Sequence, residues 1–341
     1  MVRKKTATVL GGNGFIGHHL ARSLREDGYW VRTVDISEYT YGEIDYTDDY
    51  VIGDCRIKEV VYSALLKDGK SVDEVYVMAS WMGGAGVVFT GKYDDEILYN
   101  ALSIDLNVAK IAAELKVGKI FFSGSACCYN HKYQLDPNNA GLTEDMDYDA
   151  NPDSDYGFGK LASERIYQAF YRNKGLNIRM GRFHNVCGIE GAWNNGKEKF
   201  PSACCRKVAE AVDGGEIDIW GDGQQTRSFI SISEAITGIK KVMESDYTLP
   251  INIGSDEIIS MNDFAKMVIE ISGKNLKIKN VPSDALGVRG RTSNNELMQK
   301  VTGWRPSKRL IEHIPSLYNW VKQQVGPKPF ILNTLSKDDI N

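Results

Sequence analysis

Tyr156 and Lys160 stand one helical turn apart in Ser154-Asp155-Tyr156-Gly157-Phe158-Gly159-Lys160, so on a helix they share a face. A phenol, with a pKa of about 10, is a poor base at neutral pH. An ammonium beside it favours the phenolate and lowers that pKa. The pair then takes a proton from an alcohol while a neighbouring cofactor takes the hydride. In isolation the pattern is as readily a surface contact between a tyrosine and a lysine. Two further groups change that balance. Ser125 can bond a substrate hydroxyl beside Tyr156, and Cys127 follows it closely in Ser123-Gly124-Ser125-Ala126-Cys127-Cys128-Tyr129.

The elements around these residues follow from pattern. Leu161, Ala162, Ile166, Ala169 and Phe170 recur at helical spacing after Tyr156, and Gly175 is a fitting stop. Ser125 and Cys127 extend a strand that starts at Lys119 and runs to Phe122. In extended backbone alternate side chains share a face, so Ser125 and Cys127 are expected on one side and Cys128 on the other, in the core. A further strand is expected from Asn177 to Phe183, ending in His184-Asn185.

Upstream lies a longer signal. Thr6 to Leu10 reads as a buried strand that runs into Gly11-Gly12-Asn13-Gly14-Phe15-Ile16-Gly17 and a helix to about Asp27. Glycine there permits a tight turn and close approach of backbone to a pyrophosphate, which sits on the helix N-terminus. Gly11, Gly14, Phe15, Ile16 and Gly17 are therefore the expected cofactor loop. The next strand, Trp30 to Val34, ends in Asp35. A carboxylate there bonds ribose hydroxyls and disfavours a 2′-phosphate, which selects NAD over NADP. Arg32 is read as exposed. Val51 and Ile52 lead to Asp54, a candidate for the adenine amino group or a plain loop acid. Val75 to Ala79 is a fourth strand, and the glycine cluster in Ser80 to Gly86 follows at its carboxyl end, where ligands bind in doubly wound sheets. A helix is expected from about Asn100 to Leu115.

The fold class is thus α/β: a Rossmann-type doubly wound parallel sheet with a smaller mixed C-terminal substrate-binding subdomain. The expected organisation is an NAD-binding domain over 1–185 that carries Ser125, Tyr156 and Lys160. A subdomain over 186–325, interleaved with the first, takes the substrate, and 326–341 is a tail. In the second part Lys207, Arg227, Arg289 and Arg291 suit a diphosphate, arginine being able to bind it bidentately; the alternative for each is solvated surface. Gly303-Trp304-Arg305-Pro306 is expected to open the last helical stretch, to about Gln324.

Composition narrows the class. Hydrophobic residues make up 42% of the 341 and charged residues 25%, with net charge −4 and no block of like charge, so neither nucleic acid nor an anionic membrane is the expected partner. No signal peptide or membrane span is visible. The six cysteines show no C-x-x-C spacing. That argues against a disulfide framework or a metal site, and for reduced thiols in a cytoplasmic compartment.

The glycine loop, Ser125, Tyr156 and Lys160 together resemble the extended short-chain dehydrogenase/reductases. Within them the chain is similar to the GDP-mannose 3,5-epimerase subfamily. That subfamily's Met-Gly-Gly-x-Gly matches Met82 to Gly86, its Ser-Ala-Cys matches Ser125 to Cys127, and its Gly-Arg-Phe-His-Asn matches Gly181 to Asn185. Its loop lysine falls on Lys199 and its Cys-Arg-Lys on Cys205 to Lys207. Its Gly-Asp-Gly-x-Gln-Thr-Arg-Ser-Phe falls on Gly221 to Phe229, its Asn-Ile-Gly-Ser-Asp-Glu on Asn252 to Glu257, and its Gly-Val-Arg-Gly-Arg on Gly287 to Arg291. The resemblance implies an NAD-dependent enzyme, homodimeric, acting on a GDP-sugar. Tyr156, with Lys160 and Ser125, removes the C4 hydroxyl proton as NAD takes the hydride. Cys127 and Lys199 are the acid/base pair at C5 and C3. Gly84 lies against the substrate, and Asn185, Lys207, Gln225, Arg227 and Arg291 hold its GDP part. The chain departs from the pattern at Trp81, Cys128, Asn130 and the Gly191–Gly196 loop. A 4,6-dehydratase usually carries Thr-Asp-Glu where this chain has Ser125-Ala126-Cys127, so dehydration lacks its acid and base. A simple 4-epimerase, another GDP-hexose or GDP-heptose epimerase and a non-catalytic NAD sensor are the other readings. An intact Ser125, Tyr156 and Lys160 set argues against the sensor.

Overall fold

The computed structural model describes residues 3–81, 83–139, 141–147, 149–283 and 287–326. Met82, in the glycine cluster, and the tail from 327 to 341 lie outside the described residues. Seven strands form one sheet, in the order Pro250–Ile253, Ile178–Phe183, Lys119–Ser125, Glu74–Val77, Thr6–Leu10, Trp30–Asp35, Asp49–Ile52. Every neighbouring pair is parallel, with Leu10 opposite Val77 and Ser125 opposite Phe183. Chain order reverses between Thr6–Leu10 and Glu74–Val77, which opens a crevice at the carboxyl ends of those strands.

The strands are buried on both faces, as their near-continuous apolar runs require. Side-chain alternation splits each run between two cores. Leu10, Val75, Val77, Ile120 and Phe122 pack on one face with Val108, Ala112 and Tyr167 from the helices Asp94–Leu115 and Asp155–Lys174. Val9, Tyr76 and Phe121 pack on the other with Leu20 and Leu24 of Phe15–Glu26 and Ile236 and Ile239 of Ile232–Glu244. A third core joins Cys204, Cys205, Val208, Phe264, Ile314 and Leu317 from the helices Phe200–Glu210, Met261–Ser272 and Leu310–Val325. The chain beyond residue 186 therefore feeds two places. Ile232–Glu244 and Pro250–Ile253 return to the central sheet, and the rest builds a separate core.

Several boundaries differ from expectation for local reasons. The first long helix begins at Asp94 rather than near Asn100, since Asp94, Asp95 and Glu96 fill its first turn and favour the positive end of the helix dipole. The last helix begins at Leu310, where the Glu312 carboxylate reaches back to accept the Arg309 amide at 2.6 Å and the Glu312 amide donates to the Arg309 carbonyl at 3.0 Å. Arg32 is not exposed. Its Nε donates to Asp49 at 2.7 Å and its Nη1 donates to the carbonyls of Ser63, Ala64 and Leu66. The strand from Lys119 continues to Ser125 and then turns into a 3-10 helix over Ala126–Cys128. Strand alternation does not reach the cysteines, so the outward placing of Cys127 needs another cause, given below.

Candidate active site

The cofactor cradle is made of backbone. Gly11 and Gly12 N–H both donate to the Val34 carbonyl, at 2.7 and 3.2 Å. A Cβ on Gly11 would lie 2.4 Å from the Ala79 nitrogen, and one on Gly17 would lie 2.0 Å from the Gly11 oxygen. Both positions admit only glycine. Gly14 precedes the helix Phe15–Glu26 with no side chain capping it, so the first amides of that helix, from Phe15 and Ile16 onward, are left for an anion. Asp35 closes the next strand, its carboxylate accepting the amides of Asn13 and Ser37 at 3.1 Å. A bare helix start, sterically obligatory glycines and an acid at the strand end fit a dinucleotide with free ribose hydroxyls. Asp54 is less free: Arg56 grips its carboxylate at 2.6–2.9 Å and reaches Asn100 at 2.7 Å, which also holds its pKa below the usual value.

At the other side of the crevice Ser154 caps the helix Asp155–Lys174, accepting the Gly157 amide at 3.2 Å, and Gly175 ends it with φ 69°. This places Tyr156 and Lys160 in the first turns, buried. A Cβ on Gly157 would lie 2.1 Å from the Cys127 carbonyl. The helix start thus presses directly on the Ala126–Cys128 turn, whose first amide bond is Cys127 N–H to Ser125 Oγ at 3.2 Å. That contact, rather than a pleat, sets Cys127 beside Tyr156. Cys127 packs against the buried cluster of Val88, Ile97 and Tyr156, as do Trp81, Phe89 and Tyr93, whereas Cys128 is wholly buried.

The Tyr156 phenol faces the hydroxyls of Ser125 and Ser80. Burial raises its pKa, the neighbouring Cys127 adds to this, and the two hydroxyls oppose it. The expected lowering by Lys160 is not found in the resting site. Lys160 Nζ donates to the Ser123 carbonyl at 2.8 Å and sits 5.8 Å from the Tyr156 ring centre. Burial lowers its own pKa, against Asp105 and Glu164, which support its charge. Cys127 is likewise raised by burial; Arg291 pulls it down, Asp153 pushes it up and Ser125 pulls it down. The cation against the sulfur is therefore Arg291, with Nη1 at 3.1 Å. Lys199 precedes the helix Phe200–Glu210. Burial lowers its pKa and Cys127 raises it, so the two proposed proton carriers are electrostatic neighbours. Gly84 serves this arrangement, since a Cβ there would lie 2.4 Å from the Glu198 oxygen, and the glycine cluster packs on the backbone that leads to Lys199.

The remaining expected residues divide. Arg227 lies near Cys127, Asp153 and Arg291, and its charge is disfavoured first by burial and then by Arg291. Arg291 turns toward Cys127 and Asp153 rather than outward. Gln225 is buried, its Nε2 donating to the Trp220 carbonyl at 2.9 Å while its Oε1 lacks a partner among the described residues. Asn185 Nδ2 donates to the Ser228 carbonyl at 3.1 Å, and Lys207 Nζ donates to the Asp218 carbonyl at 2.6 Å, near the Trp220 ring. Arg289 pairs with Asp222 at 3.0 Å on the surface. Sequence reasoning did not single out Ser80, Gln134 or Asp153. Ser80 opens the glycine cluster after a strand and was within reach of the pattern. Gln134 and Asp153 carry no local signal.

A parallel Rossmann sheet with a glycine cradle and a Ser125, Tyr156 and Lys160 set defines an NAD-dependent short-chain dehydrogenase/reductase. The chain belongs to the NAD dependent epimerase/dehydratase family, whose pattern matches residues 7–254. It is 37% identical to GDP-mannose 3,5-epimerase of Arabidopsis thaliana, over 93% of this chain and 82% of that one. It is 36% identical to GDP-mannose 3,5-epimerase 1 of Oryza sativa subsp. indica, over 94% and 83%. UDP-glucuronic acid decarboxylase 6 of Arabidopsis thaliana is more distant, at 26% over 93% and 89%. Among solved structures, the fold matches UDP-glucose 4-epimerase of Thermotoga maritima with a TM-score of 0.82 at 21% identity, covering 94% of this chain and 100% of that one.

Proposed function

We propose that the protein is a GDP-mannose 3,5-epimerase, converting GDP-D-mannose to GDP-L-galactose, and to GDP-L-gulose where only C5 inverts. The observation that carries this reading is the meeting of Cys127 and Lys199 beside the Tyr156 phenol. A simple C4 enzyme has no use for a second pair of proton carriers there. The charge balance supports a diphosphate ligand. Arg227 and Arg291 face the Asp153 carboxylate, and Lys199 lies close to Arg291, so an anion offsets the positive charge these side chains bring together.

In this reading Ser125 orients the C4 hydroxyl and Tyr156 takes its proton, with Lys160 fixed behind by the Ser123 carbonyl. NAD, when bound, supplies the two-electron acceptor and a positive charge beside the pocket. Oxidation turns C4 into a ketone, which acidifies the C–H bonds at C3 and C5. Cys127 and Lys199, on opposite faces of the ring, remove and return those protons with inversion. Burial moves both toward their neutral forms, the direction that suits groups which must carry a proton both ways. Return of the electrons to C4 leaves no net redox change. Asn185, Lys207, Gln225, Arg227 and Arg291 are the candidates for the GDP part, and Asp35 and Asp54 for the adenosine.

The division into a cofactor domain over 1–185 and a substrate subdomain over 186–325 is part of this proposal, supported by the separate core around Phe264. A homodimer is supported by Tyr99, Leu106 and Phe158, large apolar side chains left exposed on two adjacent helices. A cytoplasmic site is supported by six free thiols. Among the described residues no helix is long and apolar enough to cross a membrane.

Incubation with GDP-mannose in deuterated water tests the reading. The expected result is deuterium at C5 and C3 by NMR, with galacto- and gulo-configured products. Label at neither carbon, with C4 inverted or oxidised instead, sinks it.

A further inference from the structure

Three acceptors converge on one guanidinium. Arg291 Nε donates to Gln134 Oε1 at 2.6 Å, Nη1 donates to Cys127 Sγ at 3.1 Å, and Nη2 donates to the Asp153 carboxylate. The Asp153 side chain is 0% exposed and Gln134 is fully buried, so neither has water to turn to. Asp153 is itself anchored: its Oδ1 accepts the Ser154 hydroxyl at 2.8 Å and its own amide donates to the Cys127 carbonyl at 3.4 Å. One residue thus grips both the turn that carries Cys127 and the cation that faces its sulfur.

We infer that Asp153 is a positioning residue for Cys127, acting through Arg291 to fix how readily the thiol gives up and regains its proton. This rests on the reading above only in making Cys127 a proton carrier. A guanidinium alone against the sulfur stabilises a permanent thiolate, which is a poor proton donor. A carboxylate on the far arm of the same guanidinium opposes the thiolate and occupies part of the fork. The groups facing Cys127 are the cations of Arg291, Arg227, Lys199 and Lys160, the carboxylate of Asp153, and the neutral Tyr156 and Ser125. Among them Asp153 is the counterweight. Three of the five N–H donors of Arg291 are already spent inside the protein, which leaves two for a ligand.

The test reads the resting protein with its NAD and no sugar. Cys127 alkylation by iodoacetamide is followed by peptide mass spectrometry across neutral to alkaline pH. Asp153→Asn keeps the shape and removes the opposing charge, so the alkylation midpoint should fall by about one pH unit. Arg291→Gln should raise it by a similar amount. A purely structural Asp153 would leave the midpoint where it is, or raise it as Arg291 swings away, and either result overturns the inference. Should Asp153→Asn fail to fold, Gln134→Glu probes the same balance by placing a second carboxylate on Arg291. Its midpoint should rise, and a midpoint at or below that of the parent protein overturns the inference equally. Absence of epimerisation with any nucleotide sugar would count against the proposed function while leaving these midpoints standing.

Discussion

The two sides of the crevice are built on opposite plans. The cofactor side is backbone: amides at a helix start, glycines whose place nothing larger can take, and one acid at a strand end, all within the first 35 residues. The substrate side is side chains drawn from distant segments, with Arg291 and Asp153 separated by 138 positions yet joined by an ion pair. Backbone recognition suits a ligand that stays. Side-chain charges, poised against one another, suit atoms whose protonation must change. Substitutions on the two sides should therefore fail differently.

The largest effect belongs where the two sides meet. Tyr156→Phe should abolish all turnover, because neither inversion begins before C4 is oxidised, while folding and NAD content survive. Deuterium exchange into GDP-mannose at the parent rate would remove Tyr156 from the role of base. Next comes Cys127→Ala. It should still form the 4-keto sugar, seen as NADH absorbance, yet lose inversion by on the order of 10²–10⁴-fold, the usual worth of a placed acid or base. Cys128→Ala is its control, since that thiol is wholly buried. Normal epimerisation by Cys127→Ala, with Cys128→Ala dead, would reverse the assignment.

Gly17→Ala breaks only the backbone side. Its new Cβ would lie 2.0 Å from the Gly11 oxygen, and the loop must shift at a cost of about 1–3 kcal/mol. NAD affinity should fall about 5–150-fold, the same energy expressed as a binding constant. The pH midpoint of Cys127 alkylation in the apoprotein should not move. Unchanged NAD affinity by titration calorimetry would show that the cradle does not make the contact argued for it.

The same contrast explains what was legible beforehand. The sheet was readable because strands buried on both faces leave continuous apolar runs, and the cradle because glycine is needed locally. The reading set Cys127 toward Tyr156 and Cys128 in the core, which is where they lie, but from a strand pleat that is absent: the chain is a 3-10 turn there, and the close seat of Gly157 on the Cys127 carbonyl orients it. The titration of Tyr156 was misjudged because a pairwise contact was considered without its burial, which dominates. Arg32 was misjudged since its four oxygen partners come from other segments. Asp153 and Gln134 had no signal at all, because a buried polar group takes its meaning from whatever the fold sets opposite it.

The smallest effect is one of stability, again on the side-chain plan. His184 follows the strand Ile178–Phe183 and is buried. Its Nε2–H donates to Asn252 Oδ1 at 3.1 Å, and its Nδ1 has no partner among the described residues. Burial lowers its pKa to about 3, and Arg291 and Arg182 press in the same direction. In the unfolded chain the value returns to about 6.5. The unfolded state therefore binds the proton first. Stability from this residue is fully present above about pH 6.5 and is lost as the pH falls from there toward 3. At pH 5 the loss should reach about 2 kcal/mol. His184→Gln keeps a donor for Asn252 but cannot protonate, so it should start slightly less stable at neutral pH and then lose about 2 kcal/mol less on acidification. Urea midpoints at the two pH values compare the chains directly. Equal acid losses in variant and parent would mean that His184 is already protonated in the fold, and that the two arginines beside it are balanced by something other than a neutral imidazole.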